Sequence, residues 1–128
     1  MREIKFRAWI LDEKRFAFSG RGTGYYFTIG GIYEDLRVLY DITGNIIYTS
    51  DWEQFTGLRD YQDNDIYEGD IVRSQYTYPL IVMYANNGEL LFDESPYQSV
   101  YDDEKWIILG NIHENDYRKI YLEHINRK

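Results

Sequence analysis

The sequence predicts a mainly β protein, a small barrel or a set of packed antiparallel sheets, finished by a short C-terminal helix. Three features carry that expectation. Residues 3 to 11 alternate apolar and polar with period two, the pattern of a half-buried strand. Turn chemistry, in the form of Thr43-Gly44-Asn45, Gly69-Asp70 and Asn86-Asn87-Gly88, separates short runs rich in β-branched and aromatic residues. Fourteen Tyr, six Phe and three Trp bring the aromatic share to 18%, which suits sheet faces and protein interfaces because a tyrosine joins a large apolar ring to a hydroxyl.

Taken in order, Ile4, Phe6, Ala8 and Ile10 share one face of the first strand, and Glu3, Lys5, Arg7 and Trp9 share the other. Asp12-Glu13-Lys14 reads as a turn into a second strand that carries Phe16 and Phe18 inward. The run Gly20-Arg21-Gly22-Thr23-Gly24 has the composition of a phosphate cradle. It lacks the helix start that such a cradle needs, because Tyr25-Tyr26-Phe27-Thr28-Ile29 favours strand, so a loop or hairpin tip is expected. Residues 36 to 49 read as a hairpin, Leu36 to Ile42 and Ile46 to Thr49 about Thr43-Gly44-Asn45. Ser50 to Gln54 has the caps of a single helical turn.

The next stretch, Phe55-Thr56-Gly57-Leu58-Arg59-Asp60 through Ile66-Tyr67-Glu68-Gly69-Asp70-Ile71-Val72, organises the chain. Gly57 and Gly69 are its candidates for positive φ, as residues without a Cβ. Tyr61 to Asp65 closes a hairpin between them. Ile71 to Tyr78 continues as strand until Pro79, which cannot donate to a ladder. Leu80 to Tyr84 and Glu89 to Phe92 flank the Asn86-Asn87-Gly88 turn. Leu80 to Tyr84 and Trp106 to Leu109 are apolar on both faces, so each is expected to be covered on both sides or to sit at a subunit contact. Asp93 to Glu104 is an acidic loop, with Tyr97 to Tyr101 as a short edge strand. From Asp116 onward, Tyr117, Ile120, Tyr121, His124 and Ile125 recur at helical spacing and predict an amphipathic helix over a sheet edge.

The central stretch also resembles the signature of the YopX-like family of phage and prophage proteins. Arg2-Glu3-Ile4-Lys5-Phe6-Arg7-Ala8-Trp9 is similar to that family's amino-terminal block, and Ile108-Leu109-Gly110-Asn111-Ile112-His113-Glu114-Asn115 to its carboxy-terminal block. At the hairpin tip the family usually has Asn-Gly where this chain has Gln62-Asp63. The resemblance implies a mostly β fold and a phage or prophage origin. It implies no catalytic activity and supplies no active-site residues.

Length and charge bound the rest. A chain of 128 residues fits one domain, residues 1–128, within which residues 1–50 could form a separate β lobe. No apolar run approaches the ~20 residues of a membrane span. The start, Met1-Arg2-Glu3-Ile4-Lys5, lacks the apolar core of a signal peptide. The absence of cysteine excludes disulfides and thiolate chemistry and suits the cytoplasm of a bacterial host. A net charge of −8 opposes phosphate backbones and anionic membrane surfaces.

No catalytic, cofactor-binding or metal-binding residue is assigned. There is no Cys nucleophile and no Gly-x-Ser-x-Gly elbow. Two histidines, His113 and His124, cannot make a three-His zinc site, and His113 lacks a recognisable partner as a base. Read as an EF-hand from Asp60, the acidic tip puts Asp65 at the glycine position and Ile71 at the bidentate glutamate; read from Asp63, it puts Glu68 at the glycine position. The expectation is therefore a non-enzymatic phage or prophage accessory protein that binds an unknown phage or host protein and self-associates as a homo-oligomer. Two alternatives remain: a β-barrel binding single-stranded nucleic acid through Lys5, Arg7 and Trp9, and a hydrolase built on a carboxylate pair. The structural alternative for that basic face is an outer strand surface with Arg7 and Trp9 stacked together.

Overall fold

The computed structural model describes residues 5–20, 22–27, 37–74, 78–84, 90–92 and 105–125. Among these, the strands are β1 (Phe6–Ile10), β2 (Arg15–Phe18), β3 (Tyr25–Tyr26), β4 (Val38–Asp41), β5 (Ile46–Tyr48), β6 (Glu53–Arg59), β7 (Asp65–Tyr67), β8 (Asp70–Arg73), β9 (Leu80–Tyr84), β10 (Leu90–Phe92) and β11 (Ile107–Asn111), followed by the helix α1 (Tyr117–Ile125). The fold is mainly β, every strand pairing is antiparallel among those described, and the one described helix is short and C-terminal. The Asn86-Asn87-Gly88 turn and the Tyr97 to Tyr101 edge strand lie outside the described residues. The chain divides into two compact units at Phe55/Thr56.

In the first unit β2 pairs with β1, β1 with the start of β6, and β3-β4-β5 form a second sheet. Ala8, Ile10, Ala17 and Leu39 are its core, with Tyr25, Phe27, Ile47 and Trp52 packed against them. The four-residue turn after Ile10 closes on a bond from Lys14 N–H to Ile10 C=O, with Lys14 at φ 53°. That turn sets Ala17 opposite Ala8 and Phe16 opposite Trp9. Ala17, not Phe16 or Phe18, therefore faces the core; Phe18 is 42% exposed. A one-residue offset in the turn moves every side chain of the strand to the other face.

Residues 50 to 54 form no helical turn. Ser50 exchanges bonds with Trp9: its N–H donates to Trp9 C=O at 2.9 Å, and its hydroxyl accepts from Trp9 N–H at 3.1 Å. Glu53 and Gln54 already pair with Arg7 and Phe6. The backbone donors that would have been capped are taken up by an extended run along β1.

In the second unit β6 continues into a hairpin with β7, and β10-β9-β8-β11 form a four-stranded sheet. Ile66, Val72, Leu80, Val82 and Trp106 are the core, joined by Leu58 and Ile108. Gly57 does take positive φ (86°), yet it lies inside β6 rather than in a turn. Thr56 spans the kink, its hydroxyl donating to Ile66 C=O at 2.7 Å and accepting from Leu58 N–H at 3.1 Å. Gly69 (φ 85°) turns the chain from β7 into β8, and the Asp70 carboxylate accepts from Tyr67 N–H at 2.8 Å to hold that corner. Asp116 caps α1 by accepting from Arg118 N–H. Its side chains meet the start of β9: Tyr117 donates to Pro79 C=O at 2.7 Å, and the Tyr121 ring lies 5.8 Å from that of Tyr78.

Candidate interaction surface

The sheet β3-β4-β5 has two unlike faces. Leu39 is fully buried, and Tyr25 and Ile47 pack with it against the core. The opposite face is set by register: Tyr26 lies opposite Tyr40, Tyr40 opposite Ile46, and Val38 opposite Tyr48. Residues directly across from one another share a face. That face is open, with Ile42 72% exposed just beyond β4, Tyr48 63%, Tyr26 57%, Ile46 52% and Tyr40 38%. Two isoleucines and three tyrosines at these exposures present roughly 500 Å² of side chain, within the ~300–600 Å² of the largest, and often functional, patch of an ordinary monomer.

A hollow of about 580 Å³ opens beside this face, lined by Ser19, Gly20, Gly22, Gly24, Tyr25, Tyr26, Phe27 and Ile42. Among the described residues every one that lines it is uncharged, and Tyr26 and Ile42 belong to both hollow and face. Gly20, Gly22 and Gly24 all have positive φ (118°, 76° and 89°), and the Thr23 hydroxyl ties the loop by donating to Gly20 C=O. The glycine run leads into β3, as its sequence requires, so it offers no helix terminus to an anion.

Around the rim the charges are engaged. Arg37 and Asp51 form an exposed pair at 3.0 Å. Asp41, at the β4–β5 turn, accepts from Thr43 N–H (2.9 Å), Thr43 hydroxyl (2.7 Å), Asn45 N–H (2.9 Å) and the Asn45 amide (3.2 Å). These donors, led by the Thr43 hydroxyl, lower the Asp41 pKa from 3.8 to about 2.

The other sequence candidates are used structurally. Arg7 is buried, donates from Nε to Glu53 at 2.8 Å and stacks on Phe16 at 4.1 Å, while Trp9 meets the same Phe16 ring edge-on at 4.9 Å. The face expected to lie outside is thus covered, with Phe16 between the guanidinium and the indole. Lys5 sits over the Phe55 ring. At the acidic tip, Asp60 accepts from Gln62 N–H, Asn64 N–H and the Asn64 amide, and Asp65 pairs with Arg59. Among the described residues no three His, Cys, Asp or Glu side chains are placed to share a metal ion. His113 is half-buried, its N–H bonded to the Asn111 side chain at 2.9 Å. No described helix is long and apolar enough to cross a membrane.

The aromatic face is what residue-by-residue reading overlooked. The test that singled out Leu80 to Tyr84 finds it too: Val38-Leu39-Tyr40 and Ile46-Ile47-Tyr48 are apolar on both faces.

No protein-family model matches the chain, and no curated protein does. Among solved structures, the chain is similar to the crystal structure of protein EF1440 from Enterococcus faecalis, with 20% identity, a TM-score of 0.56, and 90% of this chain and 96% of that chain covered. That likeness is one of fold.

Proposed function

We propose that the chain is a non-enzymatic protein-binding module that associates with a second copy of itself, an accessory protein of the YopX-like phage and prophage kind acting in the cytoplasm of a bacterial host. The observation that carries the reading is the uncharged face of Tyr26, Tyr40, Ile46 and Tyr48 on a chain of net charge −8. Tyrosine-rich, charge-depleted surface is the composition of an interface centre. The phage and prophage assignment rests on the three sequence blocks quoted above.

Light scattering at tens of micromolar tests it. A mass near twice the chain's 15.4 kDa is expected, falling to one chain when Ile46→Glu puts a charge in the centre of the face. A wild-type mass of one chain overturns self-association.

A further inference from the structure

We propose that the hollow, at the open end of the β3–β4 ladder, binds an uncharged peptide segment. Its backbone amide meets the unpaired main chain of Gly24 and Ile42, and an aromatic side chain enters among Tyr25, Tyr26 and Phe27. The site is separate from self-association and does not require it.

The ladder stops one rung early. Asp41 N–H donates to Asn45 C=O, so Asp41 addresses β5. Main-chain groups of successive strand residues turn to alternate sides, so the bonded rung between β3 and β4 is Tyr26 with Tyr40, and the next would be Gly24 with Ile42. That rung is not made, and among the described residues nothing hydrogen-bonds to the main chain of either. Peptide planarity fixes where their groups point. Asp41 C=O accepts from Gly44 N–H within the tip, so the N–H of the same peptide unit, that of Ile42, points the other way, toward β3. Tyr25 N–H turns away from β4 at its non-bonded position, so Gly24 C=O turns toward β4. A donor and an acceptor thus stand on opposite walls, and both residues line the hollow. Gly22 and Gly24, at φ 76° and 89°, lead the chain off the ladder, and a Cβ added at either would meet no described atom within 4 Å.

These groups select the ligand. A trans peptide unit points its C=O and N–H in opposite directions, as the two walls require. A carboxylate has no N–H for Gly24, an ammonium has no acceptor for Ile42, and a nucleobase presents donor and acceptor along one edge. The chain's net charge of −8 also disfavours nucleotides. One peptide unit leaves most of the hollow's 580 Å³ to a side chain, and that volume lies within the ~300–1,000 Å³ of ligand sites. The walls are already braced for a ring: Arg15 stacks on Tyr25 at 5.5 Å and donates to its hydroxyl, and Trp52 lies 4.8 Å from Phe27.

Amide NMR titration of the full chain with N-phenethylacetamide, a trans amide carrying a phenyl ring, tests the site. Saturable shifts are expected at Gly22, Gly24 and Ile42, with a dissociation constant of about a millimolar. Phenethyl acetate, the ester that lacks only the N–H, should bind roughly ten-fold more weakly. Ile42→Pro deletes the N–H at a turn position that accepts proline, whereas Ile42→Ala keeps it, so the proline variant should bind roughly ten-fold more weakly than the alanine variant. Spectra of both variants, unchanged away from the tip, confirm the fold. Equal binding of amide and ester, or of the two variants, overturns the open rung as the site. Shifts that do not saturate by tens of millimolar overturn the site altogether. Tighter binding of uridine at the same amides would replace the peptide with a nucleobase. Each outcome is independent of the mass measured by light scattering, so this site and self-association fail separately.

Discussion

Two turn residues show how much of the local structure is side chain answering backbone. Asp41 is held in its ionised form by the Thr43 hydroxyl first and then by backbone and amide donors. Because its pKa is lowered on folding, its contribution is present above 3.8 and lost as pH falls through about 2. An NMR titration of the Asp41 carboxyl should give a midpoint near 2, and Thr43→Val should move it upward; an unchanged midpoint in the variant would remove the hydroxyl as the leading cause. Asp63 holds φ 68° at the second tip, a conformation that a Cβ disfavours. Asp63→Gly should raise stability by roughly 0.5–1 kcal/mol in urea unfolding. Its exposed pairing with Arg59, at 3.9 Å, is too weak to reverse that sign. The departure from an Asn-Gly tip was visible in the sequence, and so was its cost, because the conformation a tip demands is fixed by its length.

At the level of strands and helix, what was legible was whatever depended on local chemistry. The β4–β5 hairpin, the first hairpin, the Gly69 corner and α1 all lie where turn residues and periodicity put them. What was not legible depended on which residues are set against one another by register and packing. The facing of Phe16 is decided by the register across the Leu11–Lys14 turn, and the extended course of residues 50 to 54 by β1, some forty residues earlier. The junction of β11 and α1 shows a third such dependence. The register slips between Ile108 and Gly110, and a Cβ built at Gly110 would meet the Asn115 side chain, with Cγ 2.7 Å away. That same amide oxygen accepts from Asn111 N–H at 3.2 Å, while Asn111 accepts from His113 and Glu114 N–H. Gly110→Ala should therefore cost about 1–3 kcal/mol, read as a lower urea midpoint. Asn115→Ala, which clears the space, should recover part of that loss in the double variant. Equal losses in the single and double variants would show that crowding is not the cause.

Across the whole molecule the excess of acid sets the sign of a salt effect. Two copies of net charge −8 repel at low ionic strength, and the Debye length shrinks from ~30 Å at 0.01 M to ~8 Å at 0.15 M. Dimerisation through an uncharged face should strengthen over that range in sedimentation equilibrium. A contact made by attraction between opposite charges would weaken instead. Composition alone announced an aromatic protein with few routes to covalent chemistry. It did not say which rings stay in water, because that requires knowing which face of β3-β4-β5 the core has claimed. One further feature recurs, once in each unit. The tips after Asp41 and Asp60 are wired alike: N–H of the fourth residue to the aspartate C=O, aspartate N–H to C=O of the following asparagine, and the carboxylate onto that asparagine's amide. Neither scheme draws on the side chain of Ile42 or Tyr61, and both of these stand out in solvent. The wiring thus acts as a socket with an interchangeable plug: one scaffold presents Ile42 at the first tip and Tyr61 at the second.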